Sequence, residues 1–585
     1  MPPSVEKTSF TGEDTFHDNP KPDAARILNE LRIAALAEVD NAKLISFHWK
    51  VCLVAGVGFF TDAYDIFAIN IAVILLGYVY GHTPDHQCRP TFNSNQTLGL
   101  KIATPVGTFF GQLFFGWFAD IVGRKRMYGV ELVIMTVGTF GQATAGNGQA
   151  VNIVAMLILW RFIMGLGVGG DYPLSATIAS EFASVNIRGR MMTAVFAAQG
   201  WGNFAASLAA TIITIAFKNA IDVPRCIDCT NPVCSLPETQ TINHVDYMWR
   251  ILLGIGCIPA VMALYFRLTL PETPRFTMDI ERCIQQAQDD IDTALAHNAT
   301  PYRNGNPVMQ RVEAPVASRR DFRRYFGEWR NLKTLIGTAY SWFAIDVAFY
   351  TLGLNSSVIL QGIGFGDSDD AYKNLYNICT GNIILSVAGL IPGYWICFLF
   401  IDRWGRWPIQ FMGFIVLTVL FSIMGWSHCL ELLIKFTSTT DNGIAGLKVV
   451  SANGTNFFVF LFCLANLFQN FGPNTTTFII PGEVFPTRYR STGHGISAAT
   501  GKLGAIVAQI MFNWLVNTVD NTFLDHSFEI LALFMLSGVF STLLVPETKG
   551  ESLEVLSREN QDDFMRPPAA QVHLQDGIII PMRDL

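Results

Sequence analysis

The stretch Asp120-Ile-Val-Gly-Arg-Lys-Arg126 returns in the second half of the chain as Asp402-Arg-Trp-Gly-Arg-Trp407. Each copy directly follows a long apolar segment and opens a basic loop. A motif that recurs at the corresponding place in two halves of a chain indicates an internal duplication. We therefore expect two structural halves that share one topology.

Two further signatures recur in the same order. Glu181 with Arg188-Gly-Arg190 is matched by Glu483 with Arg488-Tyr-Arg490, and Pro271-Glu-Thr-Pro-Arg275 is matched by Pro546-Glu-Thr-Lys549. Such halves can rock about a site between them. The simpler interpretation is that acidic and arginine-rich loops only anchor helix ends at the membrane surface. Three matched pairs in the same order are unlikely to arise by accident, so the duplication is the stronger interpretation.

The composition excludes a soluble enzyme. Of 585 residues, 50% are hydrophobic and only 15% are charged, whereas a soluble protein carries about 25% charge. Twelve membrane-spanning helices of about 20–25 residues would use roughly half of the chain. The sequence predicts an all-α polytopic membrane protein with twelve helices. The apolar segments are 48–80, 98–119, 127–146, 151–180, 191–217, 249–270, 335–354, 375–400, 409–427, 456–480, 493–517 and 529–545.

These segments predict a chain of five parts. They are a polar tail at 1–47, a six-helix half at 48–270, a hydrophilic central loop at 271–332, a second six-helix half at 333–546 and a polar tail at 547–585. The first tail lacks the basic and apolar blocks of a cleavable signal peptide.

Lysine and arginine predict the orientation, because short loops rich in these residues stay in the cytosol. The loops after the even-numbered helices hold most of them, including the runs Arg124–Arg126 and Arg188–Arg190. Both tails and the central loop are therefore expected in the cytosol. Glycosylation tripeptides at Asn95, Asn355 and Asn453 fall in or beside the opposite loops, although each is a weak signal alone. Cys88, Cys226, Cys229 and Cys234 also lie in those loops, where a disulfide could form but the spacing is a poor zinc signature.

Several apolar segments contain ionisable residues near their centres. They are Asp62, Asp65, Arg161, Asp171, Asp346 and Lys502. A charge at the bilayer centre costs at least about 2.5–3.5 kcal/mol, so such residues usually face a cavity or a partner and serve a function. The alternative, that a buried aspartate only neutralises a buried arginine or lysine, stays open for Asp65 and Arg161. Glu131, on the third segment, is interpreted as either a proton site or a packing contact.

Polar and aromatic side chains share faces with these charges. Trp342, Asp346 and Tyr350 follow the i, i+4, i+8 spacing of one helical stripe, and Gln199 and Asn203 form a second polar pair. Aromatic stripes often serve packing alone, so this assignment stays open. Asn470 precedes Gly472 and Pro473, where a helix is expected to kink and free backbone carbonyls.

The remaining motifs restrict the kind of function. No Gly-x4-Gly-Lys-Ser/Thr phosphate loop is present, so an ion gradient rather than ATP is expected to drive the protein. The net charge of −7 is scattered, which argues against a nucleic-acid partner. The residues alone predict a proton-coupled transporter of a small polar solute, with Lys502 indicating an anion. We expect no catalytic residue, no cofactor and no metal.

Four stretches resemble the inorganic phosphate:proton symporters of fungi and plants within the major facilitator superfamily, particularly the fungal high-affinity permeases. They are Gly169-Gly-Asp-Tyr-Pro-Leu-Ser-Ala-Thr177 with Glu181, Phe59-Phe-Thr-Asp-Ala-Tyr-Asp-Ile66, Trp342 with Asp346 and Tyr350, and Phe471-Gly-Pro-Asn-Thr-Thr-Thr-Phe-Ile-Ile-Pro-Gly-Glu-Val-Phe-Pro-Thr487. Lys502 stands in a similar Gly-Lys-Leu-Gly setting. The resemblance covers essentially the whole membrane domain.

This resemblance implies roles for individual residues. Phosphate contacts are implied for Tyr172, Gln199, Trp342, Asp346, Tyr350 and Asn470, with Lys502 offsetting the charge. Proton passage is implied for Asp62, Asp65, Arg161 and Asp171. The repeated loops supply gating motifs at Asp120, Arg124, Glu181, Arg188, Asp402, Glu483 and Arg488. The implied activity is import of dihydrogen phosphate with protons across the plasma membrane, and the implied partners are phosphate, protons and lipid.

Other functions stay open at this stage. A permease for glycerophosphodiesters or other organic phosphates would need similar residues. A receptor that signals phosphate supply with little flux would use the same site and long cytosolic tails. A sugar or polyol transporter shares the repeated loops, but a neutral sugar seldom needs a carboxylate beside a lysine.

Overall fold

A computed structural model describes residues 36, 39–40, 46–81, 91–221, 239–277, 318–365, 371–437, 447–518, 523–557, 573–575 and 578–580. The four cysteines of the outer loops lie outside these residues, as do most of the N-terminal tail and the centre of the central loop.

The six apolar segments of the first half are all helical. They form α1 (Ser46–Phe67, continuing as Ile69–Tyr80), α2 (Ser94–Val122), α3 (Arg124–Ala143), α4 (Ile153–Phe182), α5 (Arg188–Ala216) and α6 (Thr239–Gly254, continuing as Cys257–Leu268).

The second half repeats this arrangement. It consists of α7 (Trp329–Gly362), α8 (Ala371–Leu385, a π-helical turn at Ser386–Leu390, then Ile391–Trp404), α9 (Arg406–Thr437), α10 (Leu447–Asn470, then Pro473–Val484), α11 (Arg490–Thr518) and α12 (Phe523–Thr542). Each predicted segment thus corresponds to a helix. Seven of these helices, α1, α4, α6, α7, α8, α9 and α11, contain within the described residues a stretch long and apolar enough to cross a membrane by length and composition alone.

Short elements flank the bundle. They are helices at Lys218–Ile221, Pro274–Phe276, Arg319–Gly327 and Leu553–Ser557, and a 3-10 turn at Thr487–Tyr489. Strands His573–Gln575 and Ile578–Ile580 pair antiparallel in the C-terminal tail and form one small hairpin.

Corresponding helices pack in corresponding ways. In the first half α1 packs on α5 and α2 on α4, and in the second half α7 packs on α11 and α8 on α10. The halves meet along two seams that the duplication also relates, α2 with α11 and α5 with α8. The duplication predicted from the loop motifs is confirmed by this packing.

Glycines let α2 and α4 cross at close range. A Cβ on Gly107 or Gly111 would lie 2.2 Å from a backbone carbonyl oxygen of α4, and one on Gly165 would lie 2.4 Å from a carbonyl of α2. Small residues at membrane helix crossings allow such backbone approach. Gly165 and the glycines that follow it in α4 therefore serve close packing.

The glycines of the two repeated loops, Gly123 and Gly405, are explained by backbone geometry. Gly123 and Gly405 have φ angles of 110° and 106°, a region that side chains rarely allow. The turns place the next helix against a carboxylate, because Glu272 accepts from the backbone N–H of Lys125 and Glu547 accepts from that of Arg406 at 3.0 Å. Each Pro-Glu-Thr motif thus caps the helix that follows the Gly-Arg turn.

Helix α10 breaks where the sequence predicts a kink. Its first segment ends at Asn470 and its second begins at Pro473. Pro473 has no backbone N–H to continue the ladder. At the break the carbonyl of Asn470 accepts from the Thr475 hydroxyl at 2.6 Å.

We expect Gly111→Ala to lower the melting temperature of the purified protein. The added methyl group collides with the Leu166 carbonyl of α4, and overpacking of this kind costs about 1–3 kcal/mol. Gly146→Ala is the control, because a Cβ there meets nothing within 4 Å. Equal melting temperatures for the two variants would contradict the close crossing.

Candidate binding site between the two halves

A buried ion pair lies at the centre of the bundle. Lys502 of α11 places its Nζ 2.8 Å from the Oδ2 of Asp346 of α7, and each side chain is only 2% exposed. A charge in such surroundings is costly unless a partner compensates it. The pair places a donor and an acceptor of opposite charge side by side, near the middle of α7 and α11.

Two tyrosine rings enclose the ammonium group. The Nζ of Lys502 lies 4.8 Å from the ring centre of Tyr172 and 4.7 Å from that of Tyr350. Tyr172 comes from α4 and Tyr350 from α7, so both halves contribute. Cation–π contacts of this length favour the charged lysine in a water-poor site.

Trp342 completes this wall one turn before Asp346. Its ring lies 6.3 Å from that of Tyr172 and 5.3 Å from that of His494. A Cβ on Gly501 would lie 2.5 Å from the indole and 3.0 Å from the Asp346 carboxylate. Gly501 therefore lets the indole and the carboxylate lie against α11.

A chain of polar groups extends from the tyrosine wall. Gln199 donates to the Tyr172 hydroxyl at 2.9 Å and accepts from Tyr394 at 3.4 Å. Asn474 donates to the Tyr394 hydroxyl at 3.0 Å and to the side-chain oxygen of Asn470 at 2.7 Å. The chain crosses between the halves and offers amide and hydroxyl groups in one region.

The structure thus brings the predicted contact residues together. Tyr172, Gln199, Trp342, Asp346, Tyr350, Asn470 and Lys502 belong to one connected region. Tyr394 and Asn474 also belong to it and were missed from the sequence. In the sequence, the only feature that distinguishes these two residues is a polar side chain within an apolar segment. Asn203 lies apart and accepts from Ser386 at 3.4 Å.

A second charged cluster lies within the first half. Arg267 of α6 pairs with Asp171 at 2.6 Å and with Glu131. Asp62 of α1 is fully buried beside it, and neither of its carboxylate oxygens has a hydrogen-bond partner. Asp62 is also within electrostatic range of Lys502. It therefore interacts electrostatically with both the carboxylate cluster and the central pair.

Asp65 and Arg161 form a third buried group. Asp65 accepts from the Thr139 hydroxyl at 2.6 Å and interacts electrostatically with Arg161. Arg161 donates to the Leu100 carbonyl at 2.8 Å and to Gln142 at 3.2 Å. The structure therefore places Arg161 within electrostatic range of Asp65, with its own hydrogen bonds made to other groups.

The arginine that pairs with Asp171 is Arg267 of α6, and Arg161 forms no ion pair with Asp171 among the described residues. The physical reason is position along α4, because Arg161 lies almost three turns before Asp171. Arg267 was missed because it stands near the end of its apolar segment, where an arginine resembles an interfacial anchor.

The gating motifs gather at one end of the bundle, which we call the motif face. There Asp120 accepts from the Thr492 backbone N–H and hydroxyl, both at 2.7 Å, at the start of α11. Glu181 pairs with Arg490 of the other half at 2.8 Å and with Arg124 at 3.4 Å. These contacts close the α2–α11 seam.

The α5–α8 seam is closed by the duplicated residues. Asp402 accepts from the backbone N–H of Arg190 at 3.0 Å, at the start of α5, and pairs with its side chain at 3.2 Å. Glu483 pairs with Arg406 at 2.9 Å, within one half. At each seam, a carboxylate of one half thus caps the first turn of a helix in the other half: Asp120 caps α11 and Asp402 caps α5.

The remaining gating arginines hold peripheral segments. Arg188 pairs with Asp40 of the N-terminal tail at 3.5 Å, and Arg488 pairs with Asp321 at 2.8 Å. Arg275 pairs with both Asp40 and Glu554, each at 2.8 Å. Burial alone would raise the pKa of Glu554, but Arg275 outweighs it and holds that pKa at about 2. The carboxylate therefore stays ionised at neutral pH.

The opposite end, the far face, is also closed. Asn70 of α1 donates to Ser356 of α7, and Ser94 of α2 donates to Asn513 of α11 at 2.6 Å. Lys101 of α2 donates to Asn355 of α7 at 2.8 Å. Asn355 is 2% exposed, so its tripeptide cannot accept a glycan in this fold and that interpretation is wrong.

Comparison with known proteins now adds to this geometry. The family model described as sugar (and other) transporter matches residues 51–559. The chain belongs to the sugar (and other) transporter family. Among relatives of this transporter, the inorganic phosphate transporter PHO84 of Saccharomyces cerevisiae is 43% identical, over 96% of this chain and 93% of its own.

Two further relatives carry related names. The repressible high-affinity phosphate permease of Neurospora crassa is 43% identical over 91% of this chain and 90% of its own. The probable inorganic phosphate transporter 1-4 of Oryza sativa is 36% identical over 92% of this chain and 97% of its own. The transporter thus groups with fungal and plant proteins named for phosphate.

A solved structure shows the fold. The major facilitator superfamily proton:xylose symporter XylE from E. coli matches 88% of this transporter and 99% of its own chain, with 20% identity and a TM-score of 0.62. The predicted fold of two six-helix halves is confirmed by this match and by the packing.

We expect Arg267→Gln to destabilise the purified transporter strongly. It leaves Asp171 and Glu131 buried without their counter-charge, and removal of one partner from a buried pair costs about 3–5 kcal/mol. Arg190→Gln is the control, because its side chain is 46% exposed and surface pairs contribute about 0–1 kcal/mol. If both variants melt at the same temperature, Arg267 does not hold the cluster together.

Proposed function

We propose that this transporter imports inorganic phosphate, as dihydrogen phosphate, together with protons by alternating access across the plasma membrane. The observation that carries the proposal is the buried Lys502–Asp346 pair, which lies between two tyrosines contributed by opposite halves. The relatives named for phosphate support it. The protein is a transporter and not an enzyme.

The chemistry of the pair fits a protonated anion. Lys502 offsets the negative charge, and the hydroxyl groups of dihydrogen phosphate donate to Asp346. Sulfate has no hydroxyl and would place its oxygens against the carboxylate. Tyr172, Gln199, Trp342, Tyr350 and Asn470 line the same region and complete the proposed phosphate contacts.

Proton coupling follows from the membrane potential. Bringing one negative charge into a cell costs about 2.3 kcal/mol per 100 mV of inside-negative potential, so one proton cancels the charge and a second makes the potential favourable. Asp62 and Asp171 are the proposed proton carriers, and Asp65 and Arg161 are proposed to assist proton passage from the third buried group. Asp62 is buried without a hydrogen-bond partner, a cost that protonation removes.

The proposed orientation places the motif face in the cytosol. Its loops carry the lysine and arginine excess that stays inside, and Asp40 and Glu554 tie both tails to that face. The seam contacts of Asp120, Glu181 and Asp402 would then form the inner gate. Asn70 and Lys101 contribute to the outer gate through their contacts with Ser356 and Asn355.

The decisive test is uptake of radiolabelled phosphate into proteoliposomes under an inward proton gradient. We expect accumulation that a protonophore abolishes and that sulfate and glucose do not inhibit. Inhibition by glycerophosphodiesters would favour an organic-phosphate permease. Phosphate binding without uptake would favour a receptor, and absence of both would overturn the proposal.

We expect Asp346→Asn to reduce the preference for phosphate over sulfate by about tenfold, because a hydrogen bond to a charged group is worth about 1.5–3 kcal/mol. Competition between the two anions for binding measures the ratio. Asp246→Asn is the control, because that residue is a quarter exposed and pairs with Arg250 away from the site. Unchanged discrimination in Asp346→Asn would exclude the selective role.

We expect the double variant Asp62→Asn, Asp171→Asn to lose accumulation driven by the proton gradient but to keep phosphate exchange at equal concentrations. Neither residue belongs to the proposed phosphate contacts, so exchange does not require them. Exchange and gradient-driven uptake are measured on the same proteoliposomes. Retained gradient-driven accumulation would contradict the proposed proton carriers.

A further inference from the structure

Lys101 is a buried cation that the central site does not use. It lies seven residues into α2, roughly 10 Å from the start of the helix at about 1.5 Å per residue, and it is 5% exposed. Its Nζ donates to the side-chain oxygen of Asn355 at 2.8 Å. Lys101 takes part in none of the ion pairs found among the described residues.

A buried lysine of this kind needs a physical reason. An ionised side chain in the hydrocarbon region is unfavourable unless it has a counter-charge or faces an aqueous path. Asn355 supplies one neutral acceptor, whereas an ammonium group has three donors. The site is therefore polar, positively charged and short of acceptors.

The contact spans the outer seam between the halves. Lys101 belongs to α2 of the first half and Asn355 to α7 of the second half. Rocking of the halves toward an outward-facing state separates the far ends of these helices. The Nζ then loses its acceptor and faces the open cleft.

A ladder of side chains joins this position to the central site. Asn355 donates to Gln509 at 3.3 Å, and Gln509 donates to the Tyr350 carbonyl at 2.9 Å. Tyr350 in turn packs over the Nζ of Lys502. Gln509 follows Lys502 by seven residues on α11, or roughly 10 Å. Lys101 thus lies outward of Lys502 along one polar path.

We propose that Lys101 is a second anion site, which captures phosphate in the outward-facing state and passes it to Lys502 as the outer seam closes. Asn355 replaces the anion on Nζ when α2 meets α7, so that closure itself releases the anion inward. The amide of Gln509, which makes one donation to the Tyr350 carbonyl, offers a further donor to a tetrahedral oxyanion. This inference rests on the proposed function and names a residue that sets substrate capture.

The test compares charge variants in phosphate uptake by proteoliposomes. For Lys101→Gln we expect the KM for phosphate to rise about tenfold while the maximal rate stays within about twofold. Lys101→Arg keeps the charge and is expected to restore the KM to within about threefold. If Lys101→Gln fails to fold, Lys101→Met, which keeps the length without the charge, takes its place.

Ser94→Ala is the matched control, because it removes another hydrogen bond of the outer seam without removing a charge. Its KM is expected to remain that of the unaltered transporter. An unchanged KM in Lys101→Gln, or an equal rise in Ser94→Ala or Lys101→Arg, would overturn the second site while phosphate transport stands. Absence of uptake by the unaltered transporter would overturn both.

Discussion

The structure depends on keeping a charge in the middle of an apolar bundle. Lys502 and Asp346 are almost completely buried, and each would be strongly unfavourable alone. Their mutual contact and the two tyrosine rings make the arrangement stable. An anion that binds Lys502 must compete with Asp346, so binding and rearrangement of the pair become one event.

The duplication explains how the site can be reached from either side. Each half is a firmly packed unit, with glycines that bring α2 and α4 into backbone contact. The seams between halves carry polar side-chain contacts at both ends, beside one close backbone approach of α2 and α11 at Gly116 and Gly495. Hydrogen bonds and ion pairs of this kind exchange with water at small net cost. The halves can therefore separate at one face while the other stays closed.

Much of this architecture was predictable, but from different signals. The apolar segments predicted the twelve helices, and the three repeated loop motifs predicted the duplication. Asp346 and Lys502 stood out as charges inside apolar segments, whereas the roles of Tyr172, Gln199 and Asn470 came from the resemblance to phosphate symporters. Arg267 and Lys101 were not predictable, because both lie near segment ends where basic residues usually mark the interface. Asn355 was misinterpreted because α7 extends to Gly362, beyond the predicted segment end.

The central claim is that phosphate occupies the buried site by taking Lys502 from Asp346. A cryo-electron microscopy map of the transporter with phosphate tests it most directly. The account predicts density for a tetrahedral anion beside the Lys502 Nζ, lined by Tyr172, Gln199 and Tyr350. The Nζ is expected to contact the anion and to leave its 2.8 Å contact with Asp346. Anion density elsewhere, with the pair intact, would contradict it.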